Sequence, residues 1–157
     1  MEKIDIKSYN EAELLEYMTS LGQPKFRTVQ LFKWLQQGVE DFDEMTNLPK
    51  PLRETLKEQC YIANVSIVKK FVSKIDGTVK YVYELFDGER IESVVMKYEH
   101  GYTVCISTQV GCRMGCSFCA SGLDGLFRNL TPSEMLAQIT KAQQDNGIRI
   151  SNVVMMG

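Results

Sequence analysis

Three of the five cysteines fall within eight residues, in the run Cys112-Arg-Met-Gly-Cys116-Ser-Phe-Cys119. In a reducing compartment, cysteines this close read as metal ligands or redox groups rather than disulfide partners. A C-x3-C-x2-C spacing can place one thiolate on each of three irons of a cubane 4Fe–4S cluster. Clusters held wholly by protein use four cysteines. With three, the fourth iron keeps an open position for a substrate or cofactor. Structural zinc instead requires four protein ligands in a closed shell. Its fourth ligand would have to be Cys105, Cys60 or the only histidine, His100, and none lies at a familiar zinc-ribbon distance.

The chain around this loop has 157 residues, enough for one ordinary domain or two small ones. Hydrophobic residues make up 44% and charged residues 24%, a globular balance. No apolar run approaches the roughly 18 residues of a membrane helix. The N-terminus, MEKIDIKSYNEAELLEY, is too charged for the apolar centre of a signal peptide, so a cytoplasmic location and no membrane partner are expected. A net charge of −2 excludes a strongly basic nucleic-acid binder but leaves room for a local basic face.

Residues 1–60 pattern as a small helical domain. Ser8 followed by Glu11 has the form of a capping box, and Leu14, Leu15, Met18 and Leu21 give an apolar face that ends at Gly22. A second helix is predicted from about Pro24 to Gln37, with Phe26, Val29, Leu31, Phe32, Trp34 and Leu35 as its apolar residues and Gly38 as its stop. A turn near Asn47 and Pro49 precedes a third helix near Leu52 to Gln59. Residues 61–98 change to a β pattern, with strands at about 62–74, 79–86 and 89–97 joined at Asp76-Gly77 and Asp87-Gly88. Residues 99–157 form a third segment. Thr103 to Ser107 reads as a strand leading into the cysteine loop. Thr131, Pro132 and Glu134 open a helix that stops at Asn146-Gly147, and Val153 to Met156 is another strand. Strand, loop, helix and strand make a βα unit. The fold class is therefore α+β followed by α/β. Two parallel strands alone cannot cover both faces of a sheet, so the architecture reads as interrupted.

The cysteine spacing, with an aromatic before its last member, resembles the radical S-adenosylmethionine (SAM) superfamily. Val104-Cys105-Ile106-Ser107-Thr108-Gln109-Val110-Gly111-Cys112 is similar to the run preceding the cluster in the RlmN family, radical SAM methyltransferases of adenine in 23S rRNA and tRNA. Gly125-Leu126-Phe127-Arg128-Asn129-Leu130-Thr131 resembles the segment after the cluster in that family. Asn152-Val153-Val154-Met155-Met156-Gly157 looks like the strand entering that family's glycine-glutamate SAM-binding motif. The helix from Phe26-Arg27 to Trp34 and the strand Ile91-Glu92-Ser93-Val94 match as well.

The resemblance implies the start of a radical SAM partial (βα)6 TIM-like barrel, truncated after its second barrel strand, behind an RNA-docking helical domain. It implies a 4Fe–4S cluster on Cys112, Cys116 and Cys119, SAM on the open iron, and Phe118 packed near the adenine of SAM. Taken by itself, Phe118 is more ambiguous, since an aromatic in a loop is usually core. The implied reaction methylates carbon 2 of adenine, an electron-poor position, through a methyl-cysteine near the C-terminus and a transient RNA–protein crosslink. Cys105 matches the second cysteine, which resolves that crosslink by a disulfide with the carrier. Without the resemblance, Cys105 reads as a small buried strand residue. Glu92 matches a proposed proton acceptor, where a strand carboxylate ordinarily faces solvent. Arg113, Arg128 and Asn129 are candidates for phosphate or cofactor groups, with surface solvation as the alternative. Cys60 reads as structural. The expected partners are 23S rRNA, tRNA and a flavodoxin-like electron donor. None of the five cysteines matches the methyl carrier, so the chain is expected to be an inactive first half. The competing readings are a carbon-8 methyltransferase of the Cfr type and a zinc-containing RNA-binding module.

Overall fold

The computed structural model describes residues 2–156, and for Ser121 the backbone alone. Met1 and Gly157, the last residue of the SAM-motif run, lie outside the described residues. The chain divides into two compact units, Met1–Ala63 and Asn64–Gly157. Among the described residues no helix is long and apolar enough to cross a membrane.

The first unit is helical. Strand β1 (Ile4–Asp5) pairs in parallel with β2 (Cys60–Tyr61), which joins its two ends. Between them run α1 (Glu11–Ser20), α2 (Lys25–Gln36), a 3-10 turn at Phe42–Glu44 and α3 (Lys50–Gln59). Helix α1 opens two residues later than Ser8 predicts. Asn10 is its cap, accepting from the Glu13 N–H at 2.9 Å, while the Glu13 carboxylate accepts from the Asn10 N–H at 2.8 Å. Ser8 is diverted, its hydroxyl donating to Asp5. On α2, Thr28, Leu31 and Leu35 turn inward, whereas Phe26 and Val29 are exposed, because they lie on another side of a 3.6-residue turn. Helix α3 begins earlier than expected, since Pro51 in its first turn forfeits no intrahelical bond. Leu14, Met18, Leu31, Met45 and Leu56 are wholly buried in this unit's core.

The second unit is a mixed α/β structure. Strands β3 (Ser66–Val72), β4 (Val79–Glu84), β5 (Arg90–Tyr98) and β6 (Gly101–Ser107) form an antiparallel meander. The chain then crosses β7 (Gln109–Gly111), a 3-10 turn at Ala120–Gly122 and β8 (Leu126–Asn129). Helix α4 (Pro132–Asn146) carries it back to β9 (Ile150–Met156), which lies parallel to β6. The sheet order is β3-β4-β5-β6-β9. The parallel pair expected to stand alone thus continues into the hairpin strands, so the segments 61–98 and 99–157 share one sheet.

Helix α4 covers one face of this sheet. Tyr81, Tyr83, Val95, Val104 and Ile106 are buried with Ala137 and Ala142 of the helix, and the Tyr81 and Tyr83 rings stack at 5.2 Å. Thr131 and Glu134 form the predicted capping box, and Gly147 is left-handed at φ +61°, as the helix stop requires. Strand residues alternate between faces, so Glu92, Val94, Cys105 and Ser107 point away from α4. That alternation places two candidate site residues on one uncovered face.

Candidate functional site

The cysteine loop is closed at its base by a short antiparallel ladder that sequence patterning does not reveal, β7 with β8. The Cys112 N–H donates to the Gly125 carbonyl at 3.1 Å. Gly111, at φ +76°, lies so close to Gly125 that a Cβ would stand 2.0 Å from that carbonyl oxygen. Glycine is therefore the residue this closure needs. Within the loop the Cys119 N–H donates to the Cys116 carbonyl at 3.1 Å, a turn holding two of the cysteines together. All five cysteines are free thiols. Cys112 and Cys119 are half-buried and Cys116 is exposed. Phe118 is 92% exposed, so it is not a core residue.

Among the described residues no three His, Cys, Asp or Glu side chains gather closely enough to hold one metal ion. A cubane cluster makes a different demand. Each iron takes its own thiolate, so the donors are three thiols spread along one loop rather than converged on one point. The donor set and the tightly closed loop fit that group.

Arg128, read as a phosphate candidate, is committed elsewhere. Its guanidinium meets both Glu134 oxygens at 2.8 Å, and its Nε donates to Asp87 at 2.8 Å. This planar fork is the geometry that makes arginine–carboxylate pairs strong. Asn129 is also structural, accepting from Gln109 Nε2 across the β7–β8 ladder at 3.2 Å. Together these bonds anchor the end of the cysteine loop to α4 and to the β4–β5 turn. Burial by itself would raise the Glu134 carboxyl, but Arg128 and the Thr131 N–H outweigh it and hold the group below its ordinary 4.5. A depressed carboxyl contributes stability above its unfolded pKa, and that contribution disappears as pH falls through the folded value. Arg128→Ala, which leaves Glu134 buried without its partner, is expected to cost about 2–3 kcal/mol in a denaturant melt. Glu134→Gln should flatten the loss of stability that sets in as pH falls below the ordinary carboxyl value of 4.5. An unchanged acid limb in that variant would contradict the assignment.

Val94 pairs with Cys105 across β5 and β6, which makes Glu92 and Cys105 diagonal neighbours on the face opposite α4. Glu92 is exposed, and Lys80 Nζ lies 3.1 Å from its carboxylate. Cys105 is half-buried, and burial pushes its thiol above the ordinary value. A cavity of about 460 Å³ opens where this face meets the loop, lined by Glu92, Ser107, Gln109, Gly111, Gly125 and Phe127 among others. The structure thus brings Glu92 to the backbone of the cysteine loop. Cys105 and the three loop thiols are not among the lining residues. His100 lies in the β5–β6 turn, stacked on Tyr98 at 5.3 Å. Cys60 is buried in the other unit, its Sγ donating to Tyr17 Oη at 3.2 Å. Sequence reasoning passed over Gln138 and Ser107, which hold the end of β6. The available signal was an amide on the buried face of α4, between Ala137 and Ala142.

Residues 4–62 match the family model for the ribosomal RNA large subunit methyltransferase N-terminal domain, RlmN_N. The whole chain is 58% identical to the "Probable dual-specificity RNA methyltransferase RlmN" of Alkaliphilus oremlandii and covers 46% of that protein. It is 53% identical over its whole length to the protein of the same name from Alkaliphilus metalliredigens, covering 45% of it. A crystal structure of a radical SAM methyltransferase from Sphaerobacter thermophilus superposes with a TM-score of 0.85 at 40% identity, over 98% of this chain and 46% of that one. The chain spans slightly less than half the length of these relatives. Residues 4–62 thus match the N-terminal domain of that methyltransferase family, the whole chain is similar to RlmN proteins, and its fold is shared with a solved radical SAM methyltransferase.

Proposed function

We propose that this chain supplies the RNA-docking and cluster-binding parts of a radical SAM enzyme that methylates carbon 2 of an adenine in 23S rRNA and tRNA. The observation that carries the reading is the glycine-closed loop bearing three free thiols beside the Glu92–Cys105 face. Cys112, Cys116 and Cys119 would hold the cluster, and the exposed Phe118 ring is available to pack on the adenine of SAM. A 4Fe–4S cluster held there would supply the electron for reductive cleavage of SAM. The loop, closed at its base by the Cys112–Gly125 hydrogen bond, would hold that group through its three thiols. In this reading the second unit begins a partial (βα)6 barrel, with β6 and β9 as its first parallel strands. A reducing, cytoplasmic setting and a flavodoxin-like electron donor complete this reading.

Cys105 and Glu92 take the later steps. The Cys105 thiol is protonated at neutral pH, so it acts as a nucleophile only after giving up a proton. Glu92, exposed on the same face, receives the proton from the base. The Cys105 thiolate then attacks the sulfur of the methyl-carrying cysteine, which is none of the five here. The bond from that sulfur to the carbon on the base breaks, and the electron pair passes to that carbon, which takes up a proton to become the methyl group. A disulfide between the two cysteines remains. In the intact protein, Cys105→Ala is expected to accumulate an RNA–protein adduct, visible as a slow-migrating band, with turnover falling to background. Normal turnover without an adduct would remove Cys105 from the mechanism. Chromatographic comparison of the methylated nucleoside with 2-methyladenosine and 8-methyladenosine standards, which are equal in mass, separates carbon 2 from carbon 8.

The first unit is read as the RNA-docking domain. Phe26, with Arg27 over its ring at 4.8 Å, and Val29 leave an exposed apolar and cationic patch on α2. Phe26→Ala is expected to weaken binding of a structured RNA several-fold and to leave an unstructured oligomer unaffected at the same salt. Equal affinity of the parent for both RNAs would contradict that role.

A further inference from the structure

The β5–β6 ladder stops one pair short. Its register runs from Tyr98↔Gly101 to Val94↔Cys105, and two residues further on, past Ser93 and Ile106, the next hydrogen-bonded pair would join Glu92 with Ser107. In a hydrogen-bonded antiparallel pair, two residues exchange both their N–H···O bonds. Ser107 makes that exchange with a side chain. Its N–H donates to Gln138 Oε1 at 3.0 Å, and Gln138 Nε2 donates to its carbonyl at 2.9 Å. The carboxamide thus occupies the place of the Glu92 peptide. The same Oε1 accepts from Ser93 Oγ at 2.6 Å, and Nε2 also lies 3.4 Å from the Glu134 carbonyl. Every donor and acceptor of the amide is used, and Gln138 and Ser93 are both wholly buried. The Ser107 hydroxyl reaches across to the Glu92 carbonyl at 2.6 Å, bridging the opened strands. Glu92 and Ser107 both line the cavity beside the cysteine loop.

We propose that Gln138 is a positioning residue: its carboxamide wedges β5 away from β6 and thereby sets where Glu92 and Ser107 stand in the cavity. The functional part rests on the reading of that face as the reactive one. With the wedge removed, the free N–H and carbonyl of Ser107 find their nearest partners in the Glu92 peptide. The ladder then zips by one pair, and Glu92 moves relative to substrate. Misplacement by about 1 Å costs on the order of 100-fold in rate.

The test compares Gln138→Leu, Gln138→Glu and Ser93→Ala in the intact protein, by NMR and by steady-state RNA methylation. In the parent, a nitrogen–carbon coupling across the hydrogen bond should link the Ser107 N–H to the Gln138 carboxamide. In Gln138→Leu that coupling should pass to the Glu92 carbonyl, with kcat down on the order of 100-fold and KM for RNA within about twofold. Ser93→Ala keeps the Ser107 fork and should hold kcat within about twofold. Should Gln138→Leu fail to fold, the isosteric Gln138→Glu carries the test, since it loses only the donors and must still lower kcat. Absence of the parent coupling, a folded Gln138 variant with parental kcat, or equal kcat losses in the Ser93 and Gln138 variants would overturn the proposal. If the parent protein does not methylate RNA, the functional reading fails, and the coupling result decides the wedge by itself.

Discussion

Cys116→Ala is expected to abolish cluster assembly and, in the intact protein of the proposed function, to reduce RNA methylation to background while leaving the fold intact. Cys116 is exposed, and removing an exposed thiol should change stability by no more than about 0.5 kcal/mol. The chemical loss is complete, because a loop with two thiolates cannot hold three irons of a cubane. Iron and sulfide content after anaerobic reconstitution, with a thermal melt of the same sample, checks both halves of the expectation. Full cluster content in this variant would mean that the ligand set is a different one.

The second large effect comes from a residue without a side chain. Gly111→Ala should disrupt the cysteine loop as thoroughly as a ligand substitution. The new Cβ would lie 2.0 Å from the Gly125 carbonyl oxygen, which is backbone and cannot rotate away. The φ of +76° adds a penalty of about 1–2 kcal/mol for an L-residue. The Cys112 N–H bond to Gly125 must then break, and β7 and β8 separate where the loop closes. Cluster content is expected to fall below about a tenth of the parent's. Gly77→Ala is the control: it has similar strain at φ +73° in a hairpin turn, open space around its Cβ, and no contact with the loop. Equal cluster content in the two variants would show that loop closure does not govern assembly.

Much of the fold was legible because local chemistry and tertiary structure agree. The Thr131-Pro132-x-Glu134 cap, the two Asp-Gly turns and the Gly147 stop each act within a few residues, and each is where the pattern put it. The opening of α1 was ambiguous because Ser8 and Asn10 each precede a glutamate by three residues. The choice falls to Asn10 because Asp5 takes the Ser8 hydroxyl. The β7–β8 ladder has three and four residues, too short for alternation to register. Arg128 looks like a solvent-facing cation in one dimension. Its partners Asp87 and Glu134 are 41 and 6 residues away, and only the fold brings Asp87 to it. The sheet extends further than the βα pattern suggested, because β5 and β6 are joined by a turn that puts the hairpin strands beside the parallel pair.

The candidate site divides in the same way. Thiols spaced for a cluster are visible from composition and spacing alone. The face shared by Glu92 and Cys105 comes from register, which is a property of the folded sheet. Gln138 is an unremarked amide in the sequence, and its role appears only where the ladder stops.

Anaerobic reconstitution of the chain with iron and sulfide, with metal and sulfide counting on the product, tests the central claim most directly. The account predicts a brown protein with about four irons and four sulfides per chain, whose reduced electron paramagnetic resonance signal changes when SAM is added. A colourless protein that retains a single zinc and takes up no sulfide would contradict it, and would assign the cysteine loop to a structural metal.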